Sequence, residues 1–123
     1  ELAVMRAAGG GSGSSWVQRG LKIEADTVSN PGSSVSISSD GYTVAIGSSK
    51  EHGNGINSGH VRIYDWSGSA WVQRGLDLDG EAAGDRSGSP IAITNNGNTV
   101  AIGAQRNDGN GEDSGHVRIY DWN

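Results

Sequence analysis

Carboxylates gather in two stretches of this 123-residue chain, and they are the first place to look for chemistry. Asp77, Asp79, Glu81 and Asp85 crowd one short segment. Oxygens this close suit a hard cation such as Ca2+, which takes about six to eight of them. Asp77, Asp79 and Asp85 are therefore the candidate metal ligands. The plainer reading is a solvated acidic loop, because the counterpart stretch carries Lys22, Glu24 and Asp26 instead. Asn107, Asp108, Asn110, Glu112 and Asp113 form a second polar, Gly-rich loop, whose counterpart holds Glu51, Asn54 and Asn57. This is the candidate binding loop, since loops held by a rigid scaffold commonly carry function.

Catalytic groups are harder to assemble. His60 and His116 stand at one position of a repeated octapeptide and have no Ser, Cys or acid at triad spacing. A packed or hydrogen-bonded strand residue is the expected role, and no enzyme activity is expected. His52 falls in a loop where its counterpart is Asp108. There is no cysteine, hence no thiol nucleophile and no disulfide. The Gly-rich stretches lack the Lys-Ser/Thr of a phosphate loop. A net charge of -5 argues against nucleic acid, which needs a basic face. No apolar run approaches membrane-spanning length, so membrane insertion is not expected. Trp16, Trp66, Trp71 and Trp122 have faces that could stack on sugar rings, although paired Trp residues across a hairpin more often stabilise it.

The elements that must position these groups come in two copies. Gly59-His60-Val61-Arg62-Ile63-Tyr64-Asp65-Trp66 returns as Gly115-His116-Val117-Arg118-Ile119-Tyr120-Asp121-Trp122. Thr43-Val44-Ala45-Ile46-Gly47 returns at an offset of 56, and Trp16-Val17-Gln18-Arg19-Gly20-Leu21 at an offset of 55. A period of about this length is that of a propeller blade. The organisation expected is an N-terminal segment and turn over residues 1–15, a first repeat over 16–66 and a second over 67–123.

Each unit reads as four short strands in a meander. Ser39-Asp40-Gly41 and Asn95-Asn96-Gly97 are hairpin turns between apolar strands. Along the strands, Val35, Ile37, Val44 and Ile46 alternate with Ser34, Ser36, Ala45 and Gly47. Period-two alternation puts the large residues on one face and the small ones on the other. Such sheets stack large face into small face, as radially arranged four-stranded sheets do. A β-sandwich is the second choice. Arg62 and Arg118 are placed to pair with acids of a neighbouring unit.

In the order of these motifs the chain resembles the FG-GAP repeat, the blade of integrin-type β-propellers. The closing Gly-x-Val-x-Val-Tyr of that family is matched by residues 59–64 and 115–120. Its Gly-Ala-Pro position reads Gly47-Ser48-Ser49 and Gly103-Ala104-Gln105, and its Phe-Gly position reads Pro31-Gly32 and Ser87-Gly88. The resemblance implies an all-β propeller fold and an extracellular or cell-surface location. Many members bind Ca2+ through an Asp-x-Asp-x-Asp-Gly loop. Here that loop has shrunk to the two hairpin turns, which hold too few oxygens, so no cofactor is expected there.

The order of strands carries the functional expectation. Each unit begins with what should be the outermost strand, hairpinned to the Val-Arg-Ile-Tyr strand before it. Residues 16–23 have no such strand before them, and residues 115–122 have no outer strand after them. The chain also starts at Glu1 rather than Met, as a processed or excised piece would. Two units cannot close a ring alone. The expectation is therefore two four-stranded antiparallel blades completed by strand exchange with neighbouring copies. The assembly residues would be Trp16, Val17, Gln18, Arg19 and Leu21 on one side and Val117, Ile119, Tyr120 and Trp122 on the other. A head-to-tail contact of this kind gives a ring or a fibre. The alternative is a lectin-like propeller with glycans as partners.

Overall fold

The computed structural model describes residues 14–24, 34–48, 58–104 and 115–123. Within them the chain is all-β. Strands β1 (Ser34–Ile37), β2 (Thr43–Ser48), β3 (His60–Trp66) and β4 (Trp71–Gln73) form an antiparallel meander, and β5 (Leu78–Asp79) continues alongside β3 after β4. Strands β6 (Ile91–Ile93), β7 (Thr99–Ala104) and β8 (His116–Asp121) form a second antiparallel sheet. The registers match: Val35 faces Ile46 and Val44 faces Tyr64 in the first sheet, while Ile91 faces Ile102 and Val100 faces Tyr120 in the second.

The two hairpin turns show why the sequence repeats where it does. Ser38 N–H bonds the Thr43 carbonyl and Gly41 N–H bonds the Ser38 carbonyl. Asp40 Oδ1 accepts from the Ser38 hydroxyl at 2.7 Å and from Tyr42 N–H at 2.9 Å. In the second sheet Thr94, Asn96 and Asn98 make the same pattern, with Asn96 Oδ1 as the acceptor. Asp can become Asn because only the acceptor oxygen is used. Gly41 and Gly97 both have φ of +76°, where a side chain would be strained.

The sheets stack with the small residues of β1 and β2 and the large residues of β3 turned toward the large face of the second sheet. Val100 and Ile102 of β7, with Ile91, Ile93 and Tyr120, pack on Ala45, Val61 and Ile63 of the first sheet. Ala45 and Val61 are fully buried there. The small residues permit close approach: a Cβ on Gly47 would run into the backbone of Gly88. Serine hydroxyls of β1 then reach across, Ser34 Oγ accepting from Ile91 N–H and Ser36 Oγ from Ile93 N–H, each at 3.0 Å. Burial of a Val or Ile side chain contributes about 1.5–3 kcal/mol, so these few residues are a main source of cohesion between the two sheets.

The outward faces of the pair remain apolar. On the first sheet Val35 and Ile37 are exposed. On the second, Val117 is 66% exposed although its counterpart Val61 is 0% exposed. Residues 16–23, expected as a strand, form no ladder among the described residues. A strand is defined by its partner, and none of the other described residues pairs with this segment. No helix among the described residues is long and apolar enough to cross a membrane.

Candidate functional site

The geometry centres on an arginine that recurs in both units. Arg74 follows β4 and leaves its own sheet for the next one. Its Nη2 donates to the Gly97 carbonyl at 3.0 Å and to Asp65 Oδ1 at 2.8 Å, and its Nη1 donates to Asn98 Oδ1 at 3.0 Å. Its Nε lies 2.7 Å from Asp65 Oδ2 but off the N–H direction, so that contact is an ion pair rather than a hydrogen bond. The guanidinium carbon stands 5.3 Å from the Trp122 ring. Arg74 thus clamps the outer edge of one sheet onto the hairpin and last strand of the next.

Arg19 does the same to the first sheet. Its Nη2 donates to the Gly41 carbonyl, the counterpart of Gly97. Its guanidinium lies over Trp66, the counterpart of Trp122, at 5.2 Å, and over Tyr42 and Trp71 at 5.3 and 4.9 Å. Cation–π contacts of this kind contribute about 0.5–1 kcal/mol each at exposed sites. Farther along the segment, Ile23 lies near Ile46 and Tyr64. Residues 14–24 thus lie against the first sheet through Arg19, whose contacts with Gly41 and Trp66 match those of Arg74 with Gly97 and Trp122. Trp16, Val17 and Leu21 are exposed, and Gln18 donates to the Gly20 carbonyl.

At the other end, β8 pairs with β7 alone among the described residues. Its counterpart β3 has β2 on one side and β4 and β5 on the other. The outer edge of β8 is open, with Ile119 and Trp122 exposed and Tyr120 half-buried beside it. Val117, Ile119, Tyr120 and Trp122 are thus brought together on one strand, while Trp16, Val17, Gln18, Arg19 and Leu21 lie together at the opposite end of the stack.

Of the candidate metal ligands, Asp77 and Asp79 meet each other and are joined by His60, their ligand atoms lying within 4.8 Å of one another. Asp85 is not in that group; it is buried and its Oδ2 caps the Ala82 N–H at 3.1 Å. Asp77 is already engaged by Arg62 Nε at 2.9 Å, Arg62 Nη2 at 3.1 Å and Gln73 Nε2 at 2.7 Å. The hydrogen bond from Arg62 is the main cause that lowers its pKa, with help from Gln73 and against the effect of burial. A carboxylate neutralised by a bidentate Arg is a poor cation ligand. Arg62 thus takes an acid of its own sheet, whereas Arg118 reaches Glu81 in the segment that leads from β5 to β6. His60 is buried with its Nδ1 3.8 Å from Asp77, and His116 stands 3.8 Å from Glu81. The loop residues Asn107, Asp108, Asn110, Glu112 and Asp113 lie outside the described residues.

Sequence reading placed Arg19 on the assembly strand but missed the clamp it shares with Arg74. The signal was present: Arg19-Gly20 and Arg74-Gly75 recur unchanged, and so do their targets Gly41 and Gly97.

Antiparallel sheets with one register, stacked through one kind of face, are the build of an all-β repeat protein. Residues 76–120 match the family model of the FG-GAP repeat, so this stretch of the chain is similar to that repeat. No curated protein and no solved structure matches the chain.

Proposed function

We propose that this chain is a structural, self-associating protein: its two sheets are propeller blades, and residues 16–23 of one copy supply the outer strand of the second blade of the next. The observation that carries the reading is the repeated arginine clamp. It holds residues 14–24 against the first sheet, and among the described residues that segment has no ladder and β8 has none on its outer side. Backbone pairing of this kind satisfies an edge that would otherwise invite aggregation. The register follows from the first sheet, where Trp66 faces Trp71, Asp65 faces Val72 and Val61 faces Leu78. In the assembly Trp122 faces Trp16 of the next copy, Asp121 faces Val17, and Val117 faces Ile23.

The exposed apolar residues at the two ends support the same reading, because Val35 and Ile37 match the large face and Ala92, Ala101 and Val117 the small one. The contact is head-to-tail and yields a ring or a fibre. A structural role suits the paired state of His60, Asp77 and Arg62, which leaves no acid and base poised for catalysis in that cluster. An extracellular or surface place is supported by the FG-GAP match. The test is a single backbone donor. Val17→Pro removes the N–H that would bond Asp121 of the neighbour. The unaltered chain is expected to sediment as a multimer and Val17→Pro mainly as a monomer. Equal masses for the two would contradict strand donation.

A lectin-like use of the same fold draws on Trp122, Asn98 and Asp121 around the cavity beside β8. Sharp sugar selectivity on a glycan array by the Val17→Pro chain would favour it.

A further inference from the structure

The strand-donation reading leaves open what makes the docking specific, since any extended peptide can pair with an edge. The first sheet contains the answer in its own outer hairpin. Trp71 is held by three groups. Its ring lies 5.3 Å from Trp66 at an interplanar angle of 60°. The Arg19 guanidinium stands 4.9 Å from it on another side. Its Nε1–H donates to the Arg19 carbonyl at 3.0 Å. Gly20 makes the seat possible, for a Cβ there would come within 2.7 Å of the Trp66 ring and 3.4 Å of Trp71.

The second sheet carries the same walls. Arg74 lies over Trp122 as Arg19 lies over Trp66, and a Cβ on Gly75 would come within 2.9 Å of the Trp122 ring. Where the first sheet has Trp71, the second has one end of a cavity of about 390 Å³, bounded by Arg74, Gly75, Leu76, Asn98, Tyr120 and Trp122. The counterpart of Trp71 in this chain is Trp16, and its side chain is fully exposed at 101%.

We infer that the cavity walled by Arg74, Gly75 and Trp122 is an indole-binding site, and that its occupant is Trp16 of a second copy. The inference rests on the strand-donation reading and adds the anchor. The incoming ring stacks on Trp122, lies against the Arg74 guanidinium and donates its Nε1–H to the Arg74 carbonyl. A rigid aromatic ring seated in a preformed pocket is the typical hot spot of an interface. The backbone ladder supplies general affinity, and the indole sets register, because a slip by one residue would turn Trp16 to the other face.

A peptide with the sequence of residues 14–24 and its Trp16→Ala form, both fluorescently labelled, would be titrated against the dilute full chain and followed by anisotropy. The unaltered peptide is expected to bind, and the Trp16→Ala peptide to bind at least about tenfold more weakly. With Trp122→Ala in the full chain, the difference between the peptides should shrink to about twofold or less, as coupled partners require. Equal binding of both peptides to the unaltered chain would overturn the indole site and leave strand donation standing. If neither peptide binds and the full chain sediments as a monomer, both readings fail.

Discussion

Asp77 stands in two settings at once, close to Asp79 and His60 and bonded to Arg62. Spacing alone made it a candidate cation ligand, together with Asp79 and Asp85. In the structure Arg62 and Gln73 occupy its oxygens, and the work it does is to tie β3 to the outer strand of the same sheet. Because its pKa is held below the ordinary value of 3.8, its stabilising effect is complete above that pH and is lost as pH falls through the lowered value. Asp40, lowered by the N–H of Tyr42 and the hydroxyl of Ser38, titrates with the same sign. Comparison with Asp77→Asn separates the two. Urea unfolding of the unaltered chain should weaken on going from neutral pH to below pH ~3 by about 1 kcal/mol more than that of Asp77→Asn. Parallel pH profiles for the two chains would show that the ion pair contributes nothing. At the same scale, Gly47→Ala should destabilise the chain by about 1–3 kcal/mol, since the added methyl meets Gly88 backbone that cannot move aside. A thermal melt checks it; an unchanged midpoint would mean the sheets are not held this close.

Strands and their faces were the part most readily read from sequence, because period-two alternation needs only local residue types. Val35 and Ile37 opposite Ser34 and Ser36 sufficed to expect large-on-small stacking; Val100 and Ile102 pack in that way on Ala45, but also on the large Val61 and Ile63 of β3. What local pattern could not give was the reach of Arg74 to Gly97, or of Ser36 to Ile93, since these contacts join residues far apart in the chain. Serine on the small face looks like mere smallness until a backbone N–H from the next sheet is seen to bond it. That detail separates the contact within a chain from the contact proposed between chains. Val35 and Ile37 hold the places in β1 that Ile91 and Ile93 hold in β6, and antiparallel pairing turns their N–H groups away from β2 in the same manner. A second sheet from another copy would present Pro90 and Ala92 to them, where the first sheet presents Ser34 and Ser36 to β6. Neither side chain can accept a hydrogen bond, so the proposed junction between copies is the weaker of the two. Ala92→Ser should restore one bond and strengthen assembly by about 0.5–1.5 kcal/mol, read as a lower dissociation constant in sedimentation equilibrium. An unchanged or raised constant would mean that copies do not stack through these faces.

At the scale of the whole molecule, the two sheets present different surfaces at the two ends of the stack. One end presents a held segment, an exposed indole and the large apolar residues Val35 and Ile37; the other presents a strand edge unpaired among the described residues, an aromatic cavity and a face carrying Ala92, Ala101, Val117 and Ile119. Exposed apolar surface at both ends of so small a core is uncommon in a protein that works alone. Residues 76–120 match the FG-GAP repeat model, and the sheet registers supply the geometry from which the pairing of the two ends is proposed. Sedimentation equilibrium of the unaltered chain across a wide concentration range tests the central claim most directly. The predicted result is a mass that rises with concentration toward a closed ring or an open polymer. A constant monomer mass of 12.7 kDa at every concentration would contradict it.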